Sequence, residues 1–174
     1  MVNWDRLKKP DGPFTPFVPK SKTDIEFWNK VVRFEKMLEK KPLFVSDEYR
    51  DRAIIEWIMK GYLYGGACNI FYEVGDFGGL VGFLNIREKD KASMMVKVWD
   101  RRVLTKQNVR DFIKLARTFV KEFKLKRLGI DTAHEGFARL AETAGMTSEG
   151  VLKHDFKWGG RYYDRHLLAL YGEG

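Results

Sequence analysis

The sequence predicts a single α/β domain built on a mixed sheet, and three observations carry that prediction. A strand, loop, helix and strand follow one another within residues 92–131. Three β-rich runs at meander spacing, 67–74, 79–87 and 92–99, lead up to and into it. Near the end, Gly159 and Gly160 stand between two further strand-like runs, 151–158 and 161–170, as a tight hairpin requires. A meander and a hairpin are antiparallel, whereas two strands joined by a helical crossover are normally parallel with a right-handed connection. The sheet is therefore expected to be antiparallel at its start and parallel across the 92–131 crossover.

Each element has its own justification. The opening arm, residues 1–22, carries Pro10, Pro13, Pro16 and Pro19 at a spacing of three, with Phe14 and Phe17 between them. A polyproline II turn has three residues, so the prolines are expected on one side and the phenylalanines on another, packing an extended arm onto its own domain, 23–174. The sharper alternative is a docking peptide or a strap onto another subunit. Thr23 and Glu26 form a capping box that opens a helix running to about Lys40, with Ile25, Trp28, Val31, Val32 and Leu38 as its apolar face. Pro42 ends it. A second helix follows Ser46, carries the stripe Tyr49, Ala53, Ile54, Trp57 and Ile58, and stops at Gly61.

In the middle strand Leu80, Leu84 and Ile86 alternate with Val81, Phe83 and Asn85, which predicts cover on both faces. In the third, Met94, Val96 and Val98 share one face and Met95, Lys97 and Trp99 the other. A polar loop, 100–107, separates this strand from a helix in which Val109, Phe112, Ile113, Ala116, Phe119, Val120 and Phe123 recur at helical spacing. Arg110, Lys114, Arg117, Lys121 and Lys124 fall mainly on its other faces. Asn108 is the expected cap, with Asp111 in the first turn. A strand at 127–131 and a short helix at 136–144, closed by Gly145 and turning Phe137, Leu140 and Ala141 inward, complete the order.

Composition bounds the function. A hydrophobic content of 44% with 14% aromatic residues in 174 excludes a disordered chain. No apolar run has the length of a membrane span, and the first ten residues lack the apolar core of a signal peptide, so a cytoplasmic protein is expected. A single cysteine, Cys68, excludes an internal disulfide, and three histidines argue against a zinc site. The net charge of +8 favours anionic partners, nucleic acid among them, although the basic residues run along the whole chain rather than gathering in one block.

The order of elements resembles the GNAT N-acyltransferase superfamily, and the C-terminal third resembles it in detail. The run is His134, Phe137, Leu140, Gly145-Met146, Glu149-Gly150, Lys153, Gly159-Gly160 and Asp164, followed by Leu167, Leu168, Ala169 and Leu170. The likeness covers roughly 61–170. It implies a cleft for acetyl-CoA or another acyl-CoA in the V between the fourth and fifth main strands. Val96 and Val98 would be main-chain partners of the pantetheine. Leu104, Thr105, Lys106, Gln107, Asn108 and Val109 would form the pyrophosphate loop at a helix N-terminus. Arg101, Arg102 and Lys106 would add charge, or serve only as surface. Two departures stand out: the loop has no glycine where the family has several, and the short helix has Ala141 and Glu142 where many members have a tyrosine acid.

Acyl transfer to an amine needs a neutral amine, a polarised carbonyl and an acid for the thiolate. The candidates are His134, as proton carrier or simply as helix cap; Asp131, as base or as partner of a lysine; and Glu73, as base or as a solvated strand end. Tyr162, Tyr163 and Asp164 open the last strand near where acceptors enter in the family. The expectation is an N-acyltransferase acting on an amine of unspecified identity. The alternatives are a degenerate binding module that has lost its cofactor loop, or a base-modifying protein associated with nucleic acid. Oligomeric state is left open by the sequence.

Overall fold

A computed structural model describes residues 6–7, 9–17, 24–38, 69–76 and 78–173. They form β1 (Phe14–Pro16), α1 (Ile25–Leu38), β2 (Ile70–Val74), β3 (Gly79–Leu84), β4 (Lys91–Val98), a 3-10 turn (Arg101–Val103), α2 (Lys106–Glu122), β5 (Arg127–Thr132), α3 (Glu135–Thr143), β6 (Thr147–Trp158) and β7 (Arg161–Tyr171). The helix expected after Ser46 and Cys68 lie outside the described residues. Among the described residues no helix is long and apolar enough to cross a membrane.

The seven strands make one sheet in the order β1-β2-β3-β4-β5-β7-β6. Every neighbouring pair is antiparallel except β4 and β5, which are parallel, as the crossover through α2 requires. The C-terminal hairpin is integral to this sheet: β7 pairs with β5 from Arg127↔Tyr171 to Thr132↔His166.

Each face of the sheet has its own core. On the α2 face, Phe83 stacks on Phe119 with centroids 3.6 Å apart, and Tyr72 meets both rings edge-on at 6.1 Å. The Tyr72 hydroxyl donates to the Leu7 carbonyl at 2.8 Å, and burial raises its pKa well above the usual tyrosine value. The opposite face gathers Phe17, Phe71, Leu80 and Leu84 under Phe27 and Val31 of α1.

Several local expectations are corrected. The proline arm does not present both phenylalanines on one side. Its Phe14, Thr15 and Pro16 pair as an edge strand with Val74, Glu73 and Tyr72, which sends Phe14 into the α2-side core and Phe17 into the other. Proline is tolerated there because an edge strand has one side without ladder bonds to make. Helix α1 is capped by Asp24, whose Oδ1 accepts from the Phe27 N–H at 3.1 Å, one position after the expected Thr23. That phase buries Phe27 and Val31 and leaves Ile25 and Val32 exposed. The second strand-like run, expected over 79–87, also ends early, at Leu84. Asn85 takes a left-handed φ of 51°, which turns Ile86 to the α2-side core instead of the Leu80 and Leu84 side.

Candidate functional site

Strands β4 and β5 are paired only at Lys91↔Arg127, Ala92↔Leu128 and Ser93↔Gly129. Beyond these positions β4 continues to Val98 and β5 to Thr132 with no ladder between them. A V opens in the sheet, bounded on one side by a strand held to β3 and on the other by a strand held to β7. Its cleft, about 480 Å³ of open space, is lined by Val96 and Val98 from β4, Asp131 and Thr132 from β5, and Leu104, His134 and Phe137. A second, largely apolar hollow of about 360 Å³ shares Val96, Val98, Leu104 and Phe137 with it and reaches Asn108 and Val109 beneath the start of α2. The two hollows therefore bring together Val96, Val98, Leu104, Asn108, Val109, Asp131 and His134 from the candidate set.

The loop between β4 and α2 is fixed from both ends. Trp99 and Asp100 both donate their N–H to the Gly78 carbonyl, at 2.9 and 3.0 Å, and the Asp100 carboxylate accepts from the Arg102 N–H at 2.9 Å to start the 3-10 turn. Val103 packs beneath the β2–β3 turn so closely that a Cβ at Gly78 would stand 2.7 Å from its Cγ1. Hydrogen bonds to the Arg102 guanidinium hold the Asp100 carboxyl below its ordinary pKa, so Arg102 is engaged, while Arg101 is exposed.

The cap of α2 is Thr105, not Asn108. The Thr105 hydroxyl accepts from the Asn108 N–H at 3.0 Å, and the Asn108 amide turns back to donate to the Val103 carbonyl at 2.9 Å. With the third N–H of the helix satisfied in this way, those of Lys106 and Gln107 form its open N-terminus. Asp111 is consequently in the second turn, buried, accepting from the Gln107 side chain at 2.9 Å. Val109 is buried, Leu104 is half-buried at the V, and Thr105, Lys106 and Gln107 are exposed.

His134 caps α3: its Nδ1 accepts from the Phe137 N–H at 2.9 Å, and its own N–H donates to the Thr132 hydroxyl at 3.1 Å. A neutral imidazole that accepts at Nδ1 carries its proton on Nε2. Asp131 is exposed at the cleft and pairs with Arg165 at 3.7 Å, an arginine rather than a lysine. Arg165 also pairs with Asp155. Glu73 is neither a solvated strand end nor part of the cleft. It is buried on β2, with Lys30 of α1 at 3.5 Å. Ala141 is fully buried and Glu142 exposed, so α3 offers no tyrosine at those positions.

The far side of β5 is tightly held. Glu149 accepts from the Arg127 guanidinium at 2.7 Å and from the Tyr171 hydroxyl at 2.6 Å, which brings its pKa down to about 2. Lys153 pairs with Asp164 across the hairpin at 2.7 Å. Sequence reasoning missed Thr132 and Ile130 as cleft residues, Arg165 as the partner of Asp131, and Thr105 as the cap. Only the last left a signal, a threonine three residues before an asparagine at a helix start.

No protein-family model and no curated protein matches the chain. Solved structures do. A chimera of the spermidine N-acetyltransferase SpeG from Vibrio cholerae and hSSAT superposes with a TM-score of 0.62 at 20% identity, over 82% of this chain and 90% of that one. The spermidine N-acetyltransferase of Vibrio cholerae in complex with CoA and spermine gives 0.60 at 18% identity, over 92% and 96%. The ribosomal-protein-S5-alanine acetyltransferase of Vibrio fischeri gives 0.55 at 17%, over 75% and 80%. With the splayed β4–β5 pair, the helix start beside it and the hairpin beyond, these likenesses establish that the chain has the GNAT N-acyltransferase fold.

Proposed function

We propose that the chain is an N-acyltransferase that moves an acyl group, acetyl in the simplest case, from acyl-CoA to an amine. The observation that carries this reading is the open V between β4 and β5 with the uncapped N–H groups of α2 beside it. A pyrophosphate at that helix start would meet the N–H groups of Lys106 and Gln107, the positive end of the helix dipole, and the charges of Lys106 and Arg101. No residue from Leu104 to Val109 is left-handed, so the backbone conformation of this loop does not itself call for glycine. Pantetheine would lie along β4 at Val96 and Val98, where the strand has no partner on its β5 side. The acyl end would then reach Thr132, Asp131 and His134.

The chemistry asked of these groups is modest. The amine nitrogen attacks the thioester carbonyl, the C–N bond forms, the C–S bond breaks, and the proton lost by nitrogen balances the one the thiolate takes up. Asp131 holds and deprotonates the cationic amine at the cleft mouth. His134, with Nδ1 committed to its helix, positions groups through Nε2–H instead of acting as a base at Nδ1. No role is assigned to Glu73. The acceptor class remains amines; the solved neighbours named for spermidine and for the alanine of ribosomal protein S5 supply the panel to try first.

A binding module without catalysis is the competing reading, favoured by the Leu104 side chain in the V. Thermal-shift titration with acetyl-CoA, followed by thiol release in the presence of spermine, spermidine and alanine-ended peptides, separates the two. A stabilised protein that releases CoA thiol with one of these amines supports the transferase. A folded protein with no shift at millimolar acetyl-CoA overturns it.

A further inference from the structure

On α2, Lys106, Arg110, Lys114, Arg117, Lys121 and Lys124 follow one another at steps of four, four, three, four and three along the helix and its final turn. At roughly 100° per residue these six side chains fall within an arc of about 80°, outside the arc of the buried face, and they span about 27 Å of axis. All six are exposed. Spread through the sequence they look like general basicity; on the helix they are one line.

Nothing acidic interrupts that line. Asp111 and Glu122 lie on the flank that meets the N-terminal segment, where Glu122 takes Arg6 at 3.4 Å. Lys114 approaches Asp11 at 3.7 Å, and Arg117 donates to the Ala144 carbonyl at 2.7 Å. Lys106, Arg110, Lys121 and Lys124 make no ion pair among the described residues. Beside the lower half of the line, Arg6, Lys9, Lys114 and Lys121 border an open groove of about 680 Å³, with Asp11 the one acidic side chain in its lining. Like charges at i, i+3 and i, i+4 repel and weaken a helix, so folding alone does not call for this arrangement. On α3, by contrast, Arg139 is matched at that spacing by Glu135.

We infer that the lower part of this line, Lys114 to Lys124 with Arg6 and Lys9 alongside, is a binding track for the phosphate backbone of a nucleic acid. A backbone needs regularly spaced cations and no apolar anchor. An acidic protein partner would instead need an apolar or aromatic centre to its interface, and none of the exposed large apolar side chains lies on α2. The proposal is independent of the transferase reading, because it uses the end of α2 away from the V.

Fluorescence anisotropy with a labelled 20-mer, as duplex DNA and separately as single-stranded RNA, tests it across a salt series. Binding to either is expected, with log affinity falling steeply against log salt. The combined variant Lys114→Glu, Lys121→Glu, Lys124→Glu should lose affinity by about two orders of magnitude, with the milder pair Lys121→Gln, Lys124→Gln flattening the salt slope by about two. Both variants should keep the wild-type melting profile. Absence of binding to both nucleic acids at 50 mM salt would overturn the inference. So would unchanged affinity in both variants, or equally tight binding of poly-glutamate labelled in the same way.

Discussion

Strand β5 has two edges with opposite characters. Towards β7 it is paired through all six of its positions, and the Arg127–Glu149–Tyr171 cluster ties that side further. Towards β4 it is paired at three and then stands open. The same strand is thus a closed wall on one side and an open edge on the other. A cleft formed in this way needs no special loop to hold it apart, because the strands that bound it are held by their other neighbours.

The comparison can be broken most forcefully on its closed side. Leu128 is fully buried between β4 and β7, so Leu128→Ala should cost about 2–5 kcal/mol in denaturant unfolding. Val96→Ala, at the open V and only partly buried, should cost about 1 kcal/mol or less. Equal losses would mean that the V is packed as tightly as the core. Next in size is the helix start: Thr105→Ala removes the cap and should cost about 1 kcal/mol, whereas Asn108→Ala should leave the cap itself in place.

The smallest effect is acid dependence. Glu149 has its pKa lowered to about 2 by Arg127 and Tyr171, so its carboxylate favours the folded state above its unfolded value near 4.5. That stabilisation should fade as pH falls from about 4.5 through about 2. Unfolding midpoints measured across this range should decline less steeply in Glu149→Gln than in the wild type, and parallel curves would show that the cluster contributes nothing.

How much of this was legible in the sequence depended on whether the deciding signal was local. The mixed sheet, the crossover and the hairpin follow from alternation, helical spacing and the Gly159-Gly160 turn, each written in a few adjacent residues. Caps were placed one to three positions off. Asp24 and Thr105 have polar neighbours of similar capping ability, and only the backbone's turn into the helix chooses between them. The face of Ile86 was lost because Asn85 turns left-handed, which alternation alone does not foresee. The V itself was expected from resemblance to a family and not from residue pattern, since Val96 and Val98 are strand-forming whether or not a partner strand lies beside them. Arg110, Lys114, Arg117, Lys121 and Lys124 were legible as lying off the apolar face of α2; that they form one arc with Lys106 follows from steps of three and four wound onto the helix.

The central claim is that acyl-CoA enters between β4 and β5 with its phosphates at the start of α2. Amide and methyl NMR spectra of the labelled protein, titrated with CoA, address it residue by residue. The account predicts saturable shifts concentrated at the Lys106 and Gln107 amides and the Val96 and Val98 methyls, with the signals of Glu73 and the β6–β7 turn unmoved. Shifts confined to other surfaces, or none at all while the protein stays folded, would contradict it.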